Sequence, residues 1–202
     1  MHIKTLMVGP IGTNCYVVTD EQTRKCVIID PGDESNTILD YIESNNLQTE
    51  AIFITHGHLD HNYALDEVQE STGIAFAHIH KNEVTDDGRR DMYKLKDNGK
   101  LTSYSEGDVI KIGGLEFHIM VTPGHSAGSV VIKCENALFT GDTLFRDSCG
   151  RTDLEGSMED MLVSLKRLSN LEGDYEVYPG HGDTTTLSRE RSFNQYMQYA
   201  NE

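Results

Sequence analysis

The chain has 202 residues, 37% hydrophobic and 25% charged, with Gly 18 and Pro 4; this balance excludes a disordered or fibrous chain, and the length suits one well-buried domain over 1–202. The formal charge is −16, from 33 acids against 17 bases, which with no basic stripe excludes a nucleic-acid partner and otherwise reads as solubility. No apolar run approaches the roughly 20 residues of a membrane span, so no membrane partner is expected.

Residues 1–8 carry no extended apolar core and meet Gly9-Pro10 at once, so they do not read as a signal peptide and the cytoplasm is the expected compartment. Residues 14–19 and 25–30 read as a strand pair turning at 20–23, and Pro31-Gly32 breaks the second strand. An amphipathic helix follows from about Ser35, with Ile38, Tyr41 and Ile42 on one face. Residues 51–55 form a short buried strand ending at His56, and a second helix runs over 61–72 to stop at Gly73. The polar stretch 80–106, centred on Asp86-Asp87 and Arg89-Arg90, reads either as a loop or short helix over a site or as a solvated connection.

Gly113-Gly114 joins strands over 109–112 and 115–121, and Glu135-Asn136 joins strands over 129–134 and 137–140. Ser157-x-x-Asp160 resembles a capping box, opening a helix with Met158, Met161, Leu162, Leu165 and Leu168 inward. A strand over 176–178 and a helix from about Ser188 close the chain. Strands and helices mix throughout, which predicts layered α/β packing with helices outside the sheets. Cys15, Cys26, Cys134 and Cys149 are widely spaced with no Cys-x-x-Cys pair, so reduced thiols are expected, three of them as small core residues beside strands.

Four apolar strands each end in a sharp turn that delivers a possible metal ligand: His56 after Ala-Ile-Phe-Ile-Thr, His125 after Ile-Met-Val-Thr-Pro-Gly, Asp142 after Ala-Leu-Phe-Thr-Gly, and His181 after Glu-Val-Tyr-Pro-Gly. Carboxyl ends of strands are where α/β proteins place their sites, and Gly124, Gly141 and Gly180 allow tight turns just before the ligands. The run Thr55-His56-Gly57-His58-Leu59-Asp60-His61 is too dense in donors to serve one tetrahedral ion. Two adjacent ions resolve this: His56 and His58 with His125 on one, Asp60 and His61 with His181 on the other, and Asp142 bridging. Nitrogen and oxygen donors without thiolate suit two Zn²⁺ ions, with Fe or Mn²⁺ equally compatible. His2, His78, His80 and His118 lack supporting carboxylates or strand-end glycines and read as structural. Cys149, close to the expected site, reads as an unreactive small residue.

At these residues the chain resembles the metallo-β-lactamase superfamily, and within it the short glyoxalase II-like (hydroxyacylglutathione hydrolase-like) enzymes. The resemblance runs from Gly12-Thr13-Asn14-Cys15-Tyr16 through Asp30-Pro31-Gly32 to Tyr178-Pro179-Gly180-His181-Gly182. It implies a four-layer αββα sandwich with the metals at one edge of the two sheets, and the same seven ligands that spacing selects. β-Lactamases of this fold typically carry cysteine where Asp142 stands, so antibiotic hydrolysis is not expected. With 21 residues after His181, no C-terminal glutathione-binding helical domain is expected either. Cys149-Gly150-Arg151-Thr152-Asp153 resembles a segment of the short hydrolases and also of persulfide dioxygenases, which hold one iron through positions matching His56, His125 and Asp142.

The leading expectation is hydrolysis of a small thioester by a hydroxide shared between the ions, with Asp60 both binding metal and orienting the nucleophile. Arg151 either contacts an anionic substrate or pairs with Asp153. Two rivals remain: an iron-dependent persulfide dioxygenase, and a non-catalytic metal-binding domain.

Overall fold

The strand over residues Thr13–Thr19 is buried at every position, which requires cover on both faces. Its alternate side chains enter different cores: Cys15 and Val17 join one cluster, Tyr16 and Val18 another. A computed structural model, which describes residues 1–85 and 92–202, shows why. The first half of the chain runs β1 (His2–Val8), β2 (Thr13–Thr19), β3 (Lys25–Ile29), α1 (Ser35–Ser44), β4 (Gln48–Phe53), α2 (Leu65–Thr72), β5 (Ala77–His80), the two-residue strands β6 (Val84–Thr85) and β7 (Leu95–Lys96), and β8 (Leu101–Tyr104). The second runs β9 (Val109–Ile112), β10 (Leu115–Val121), β11 (Val130–Cys134), β12 (Ala137–Gly141), α3 (Met158–Ser169), β13 (Glu176–Pro179), β14 (Thr185–Thr186), α4 (Leu187–Phe193) and α5 (Gln195–Ala200).

Each half builds one six-stranded sheet, in the orders β1-β2-β3-β4-β5-β8 and β14-β13-β12-β11-β10-β9. Between the sheets lie Tyr16, Val18, Ile29, Phe53, Phe117, Ile132 and Phe139. The outer face of the first sheet packs Val17, Ile28 and Ile52 against Ile38, Ile42, Leu65 and Val68 of α1 and α2. That of the second packs Val131 and Leu138 against Met161, Leu165, Leu168 and Met197 of the later helices. The layers are therefore α, β, β, α, as expected.

Local departures from the sequence reading have local causes. The segment 61–72 is not one helix: Leu59–His61 is a 3-10 turn and α2 starts at Leu65. Asn62 tightens the turn by donating to the carbonyls of Gly57 (2.9 Å) and His58 (2.7 Å). The last helix breaks at Asn194, whose side chain accepts from the Tyr196 and Met197 amides and so caps a new helix. Only half of the capping box forms: Ser157 Oγ accepts from the Asp160 amide at 3.2 Å, but the Ser157 amide donates to Gly124. Met158, expected inward, is exposed. In the 80–106 stretch, Asp86, Asp87, Arg89 and Arg90 lie outside the described residues. The described flanks are ordered, with β6 pairing β7 and β8 completing the first sheet. All four cysteines are free and buried, and no helix among the described residues is long and apolar enough to cross a membrane.

Candidate metal centre

The strand ends converge from both sheets rather than one. His56 follows β4 of the first sheet, while His125, Asp142 and His181 follow β10, β12 and β13 of the second. Strand β2 stitches the two rims together: the Asn14 amide donates to the Gly180 carbonyl, Asn14 Nδ2 to the carbonyls of Pro179 and Gly182, and the Tyr16 hydroxyl to Pro179. All seven expected ligands meet at this seam. Ligand atoms of His56, His58 and His125 lie within 4.8 Å of one another, as do those of Asp60, His61 and His181, and those of His56, His61 and Asp142.

Asp142 stands between the first two sets. One oxygen is 3.5 Å from His125 Nε2 and 3.7 Å from His181 Nε2, and the other is 3.4 Å from His61 Nε2. His58 Nδ1 and His125 Nε2 are 2.8 Å apart. His61 Nε2 is 3.3 Å from both His181 Nε2 and Asp60 Oδ2. Gly180 is needed here for close approach rather than for a turn, because a Cβ there would run into Asp142 Oδ1 and stand 2.7 Å from His61 Cε1. Gly141 is different: its φ of 46° is left-handed, and a Cβ would meet Thr55 Oγ1 at 2.5 Å.

A hydrogen-bonded shell behind the ligands fixes which nitrogens face the centre. The carboxylate of Asp30 accepts from the Thr55 amide (2.7 Å), the Thr55 hydroxyl (2.7 Å) and His61 Nδ1 (2.9 Å). With its proton committed to Asp30, the Thr55 oxygen accepts from His56 Nδ1 at 3.1 Å. His125 Nδ1 donates to the Arg151 carbonyl at 2.7 Å. In all three rings Nδ1 is thus occupied and Nε2 points inward, as orienting partners of metal-bound histidines do.

Charge and desolvation fit a cation. Burial pushes the Asp60 carboxyl up, but hydrogen bonds from His181 and His61 outweigh it and hold it well below the ordinary range; Asp142 is held down against burial by the same neighbours with His125. Burial pulls His61 down, yet Asp142 and Asp30 together hold it well above its ordinary value, and carboxylates that favour a proton there favour a metal cation. Burial and the imidazoles of His125 and His61 bring His58 down to about 4, so at neutral pH it is a neutral imidazole, the form that can bind a metal. Finally, His56 Nε2, His58 Nε2 and Asp142 Oδ1 are buried without a hydrogen-bond partner. Orphaned buried polar atoms are costly, and three beside one another fit a metal site.

The centre opens into a cleft of about 510 Å³ lined by His58, Asp60, Tyr93, His125, Asp142 and Arg151, among others. Arg151 is on its wall, but the guanidinium makes a two-pronged pair with Asp153 at 2.8 Å; its carbonyl is the group that touches a ligand. Of the remaining histidines, His78 stacks on Tyr104, His80 accepts from the Asn82 amide, and half-buried His118 sits 3.8 Å from Glu116. Burial pushes the Cys149 thiol up to about 11, which keeps it protonated and unreactive. Sequence reasoning missed three positioning residues. Asp30 and Thr55 also end strands, and that shared position was the available signal. Glu83, which accepts from the Gly57 and Gly128 amides at 2.7 and 2.6 Å, gave none.

Known proteins support this picture. The chain is 35% identical to the probable metallo-hydrolase YqgX of Bacillus subtilis, covering 98% of each chain. It is 29% identical to the hydroxyacylglutathione hydrolase GloC of Haemophilus influenzae, again over 98% of each. Among solved structures, the BLEG-1 B3 metallo-beta-lactamase is 32% identical with a TM-score of 0.85, covering 97% of this chain and 99% of that one. TTHA1623 in a di-iron-bound form is 30% identical with a TM-score of 0.80, covering 96% and 99%. ETHE1 from Myxococcus xanthus is 26% identical with a TM-score of 0.82, covering 100% and 91%. Residues 8–181 match the Metallo-beta-lactamase superfamily, whose members are generally metal-dependent hydrolases, and the chain belongs to that superfamily.

Proposed function

We propose that the protein is a dinuclear metal-dependent hydrolase of small thioesters. The observation that carries this reading is the sorting of donors into two triads that share no residue, with Asp142 within reach of both. His56, His58 and His125 would hold one ion, Asp60, His61 and His181 the other, and Asp142 both. When bound, such an ion pair acidifies water toward neutrality and polarises a carbonyl. The nitrogen and oxygen donors suit Zn²⁺, Fe and Mn²⁺, and the di-iron form of a relative at 30% identity supports a two-ion site.

The chain's own residues orient the reactants. Asp60 faces both the centre and the cleft; its Oδ2 is 3.1 Å from His181 Nε2 and accepts from Thr13 Oγ1 at 3.1 Å. A carboxylate so held would orient an attacking water. A thiolate, with thiol pKa near 8.5, leaves without a strong acid from the protein. The relative named hydroxyacylglutathione hydrolase supports a thioester substrate.

The test joins elemental analysis of the protein as isolated with steady-state hydrolysis of lactoylglutathione and other acyl thiols, β-lactams serving as competitors. Two ions per chain and turnover of an acyl thiol are expected. No turnover of any acyl thiol overturns the reading. A second reading, oxygen-dependent persulfide oxidation with one iron, draws on the Cys149–Asp153 segment, whose Arg151 carbonyl holds His125. One iron per chain with oxygen uptake on glutathione persulfide would favour it.

A further inference from the structure

The metal centre has a second, narrower opening. A pocket of about 290 Å³ adjoins the main cleft and shares Ile11, Asp60 and Met92 with it. Its other walls include Pro10 from the β1–β2 turn, Leu59 from the metal-binding loop, and Tyr63 just beyond it. Ile11, Tyr63 and Met92 are 64%, 59% and 65% exposed, so three large apolar side chains stand in water around one small cavity beside a reactive centre. Clustered apolar exposure of this kind marks a binding surface. The walls are held in place: the Leu59 amide donates to the Met92 carbonyl at 3.0 Å, and the Gly9 amide donates to Glu34.

The charges in this arm are acidic. Among the described residues, its only ionisable linings besides Tyr63 are Asp33 and Asp60, and the cation lining the wider cleft, Arg151, is committed to Asp153. An anionic group meets no protein cation along the arm, whereas a neutral hydrocarbon would bury Ile11 and Met92. Resting on the thioester reading above, we propose that the arm binds the acyl chain, with the thiol carrier in the wider cleft, and that the preferred substrate bears a neutral apolar acyl group. The volume, at the low end for ligand pockets, suits a short acyl chain.

Two series test this with the metal-loaded protein. In the first, kcat/KM is measured for acetyl-, butyryl-, hexanoyl- and lactoylglutathione, so that the carrier cancels. In the second, which needs no turnover, calorimetry gives the affinity of aceto-, butyro- and hexanohydroxamic acid, whose head groups chelate metal. Each added methylene should raise both quantities about fourfold, with butyrylglutathione ahead of lactoylglutathione. Ile11→Asn and Met92→Gln should flatten both series to under about twofold per methylene, while Val163→Asn, at an exposed position on α3, should leave the slope intact. A hydroxamate slope that Ile11→Asn abolishes, with no thioester turnover, upholds the arm and removes the hydrolase reading. Thioester turnover with a flat or inverted chain dependence, or a hydroxamate slope that both cleft variants keep, overturns the arm alone.

Discussion

One carboxylate governs two of the seven candidate ligands. Asp30 takes its proton donors from Thr55 and His61, and through Thr55 it also settles the His56 ring. The residue has a left-handed φ of 52°, a conformation that aspartate tolerates better than most side chains. It is buried, as are Thr55 and His61, so none of the three bonds is exchanged for water. Replacing Asp30 with Asn turns one acceptor into an amide donor that faces either the Thr55 amide, at Oδ1, or both the Thr55 hydroxyl and the His61 N–H, at Oδ2. Loss of such an orienting partner typically costs 10- to 100-fold in metal affinity. Competition of Asp30→Asn against a chromophoric chelator should show a weakening of about that size. An unchanged metal affinity would mean that the ligands are oriented without Asp30.

At the scale of elements, the strands that carry ligands were the legible ones. Each closes on an apolar stretch, and after β10, β12 and β13 proline or glycine turns the chain at once into the site; only β12 is buried at every position. β1 and β8 were not legible: β1 lies at a sheet edge with a mixed burial pattern, and β8 keeps only Tyr104 fully buried. The candidate metal ligands stood out because histidine and aspartate after a strand are chemically unusual. Their orienting partners were not, because hydrogen bonds over distant stretches leave no spacing in the sequence. Glu83 is the clearest case. It lies in a polar stretch that reads either as a loop over a site or as a solvated connection, yet it is 1% exposed and bridges the loop after β4 to the loop after β10. Removing its carboxylate leaves the Gly57 and Gly128 amides without that acceptor, at about 1–3 kcal/mol each. Glu83→Ala should therefore lose about 2–5 kcal/mol in urea unfolding, and Glu83→Gln, which keeps one acceptor oxygen, markedly less. Equal losses for the two variants would show that the bridge between loops is not what Glu83 supplies.

Across the whole molecule, three apolar cores between the four layers hold every cysteine away from water. Burial pushes Cys26 up to about 11, against a weak opposing hydrogen bond from Thr49, and Cys149 to about 11; burial with the charge of Glu135 pushes Cys134 to about 12. An unfolded thiol loses its proton near pH 8.5. Between that value and about 11 the folded state keeps protons that the unfolded state has released, so stability is full below about pH 8.5 and falls as pH rises. The slope is at most about 1.4 kcal/mol per pH unit per thiol, and solvent screening shortens the pH span over which it acts. Tyr16 and Tyr104, also pushed up by burial, add to the fall only above about pH 10. Urea midpoints at about pH 8, 9 and 10 should therefore drop progressively. A Cys26→Ala, Cys134→Ala double variant, whatever its loss at neutral pH, should show a shallower drop. Parallel curves for the two proteins would place the alkaline sensitivity outside the thiols.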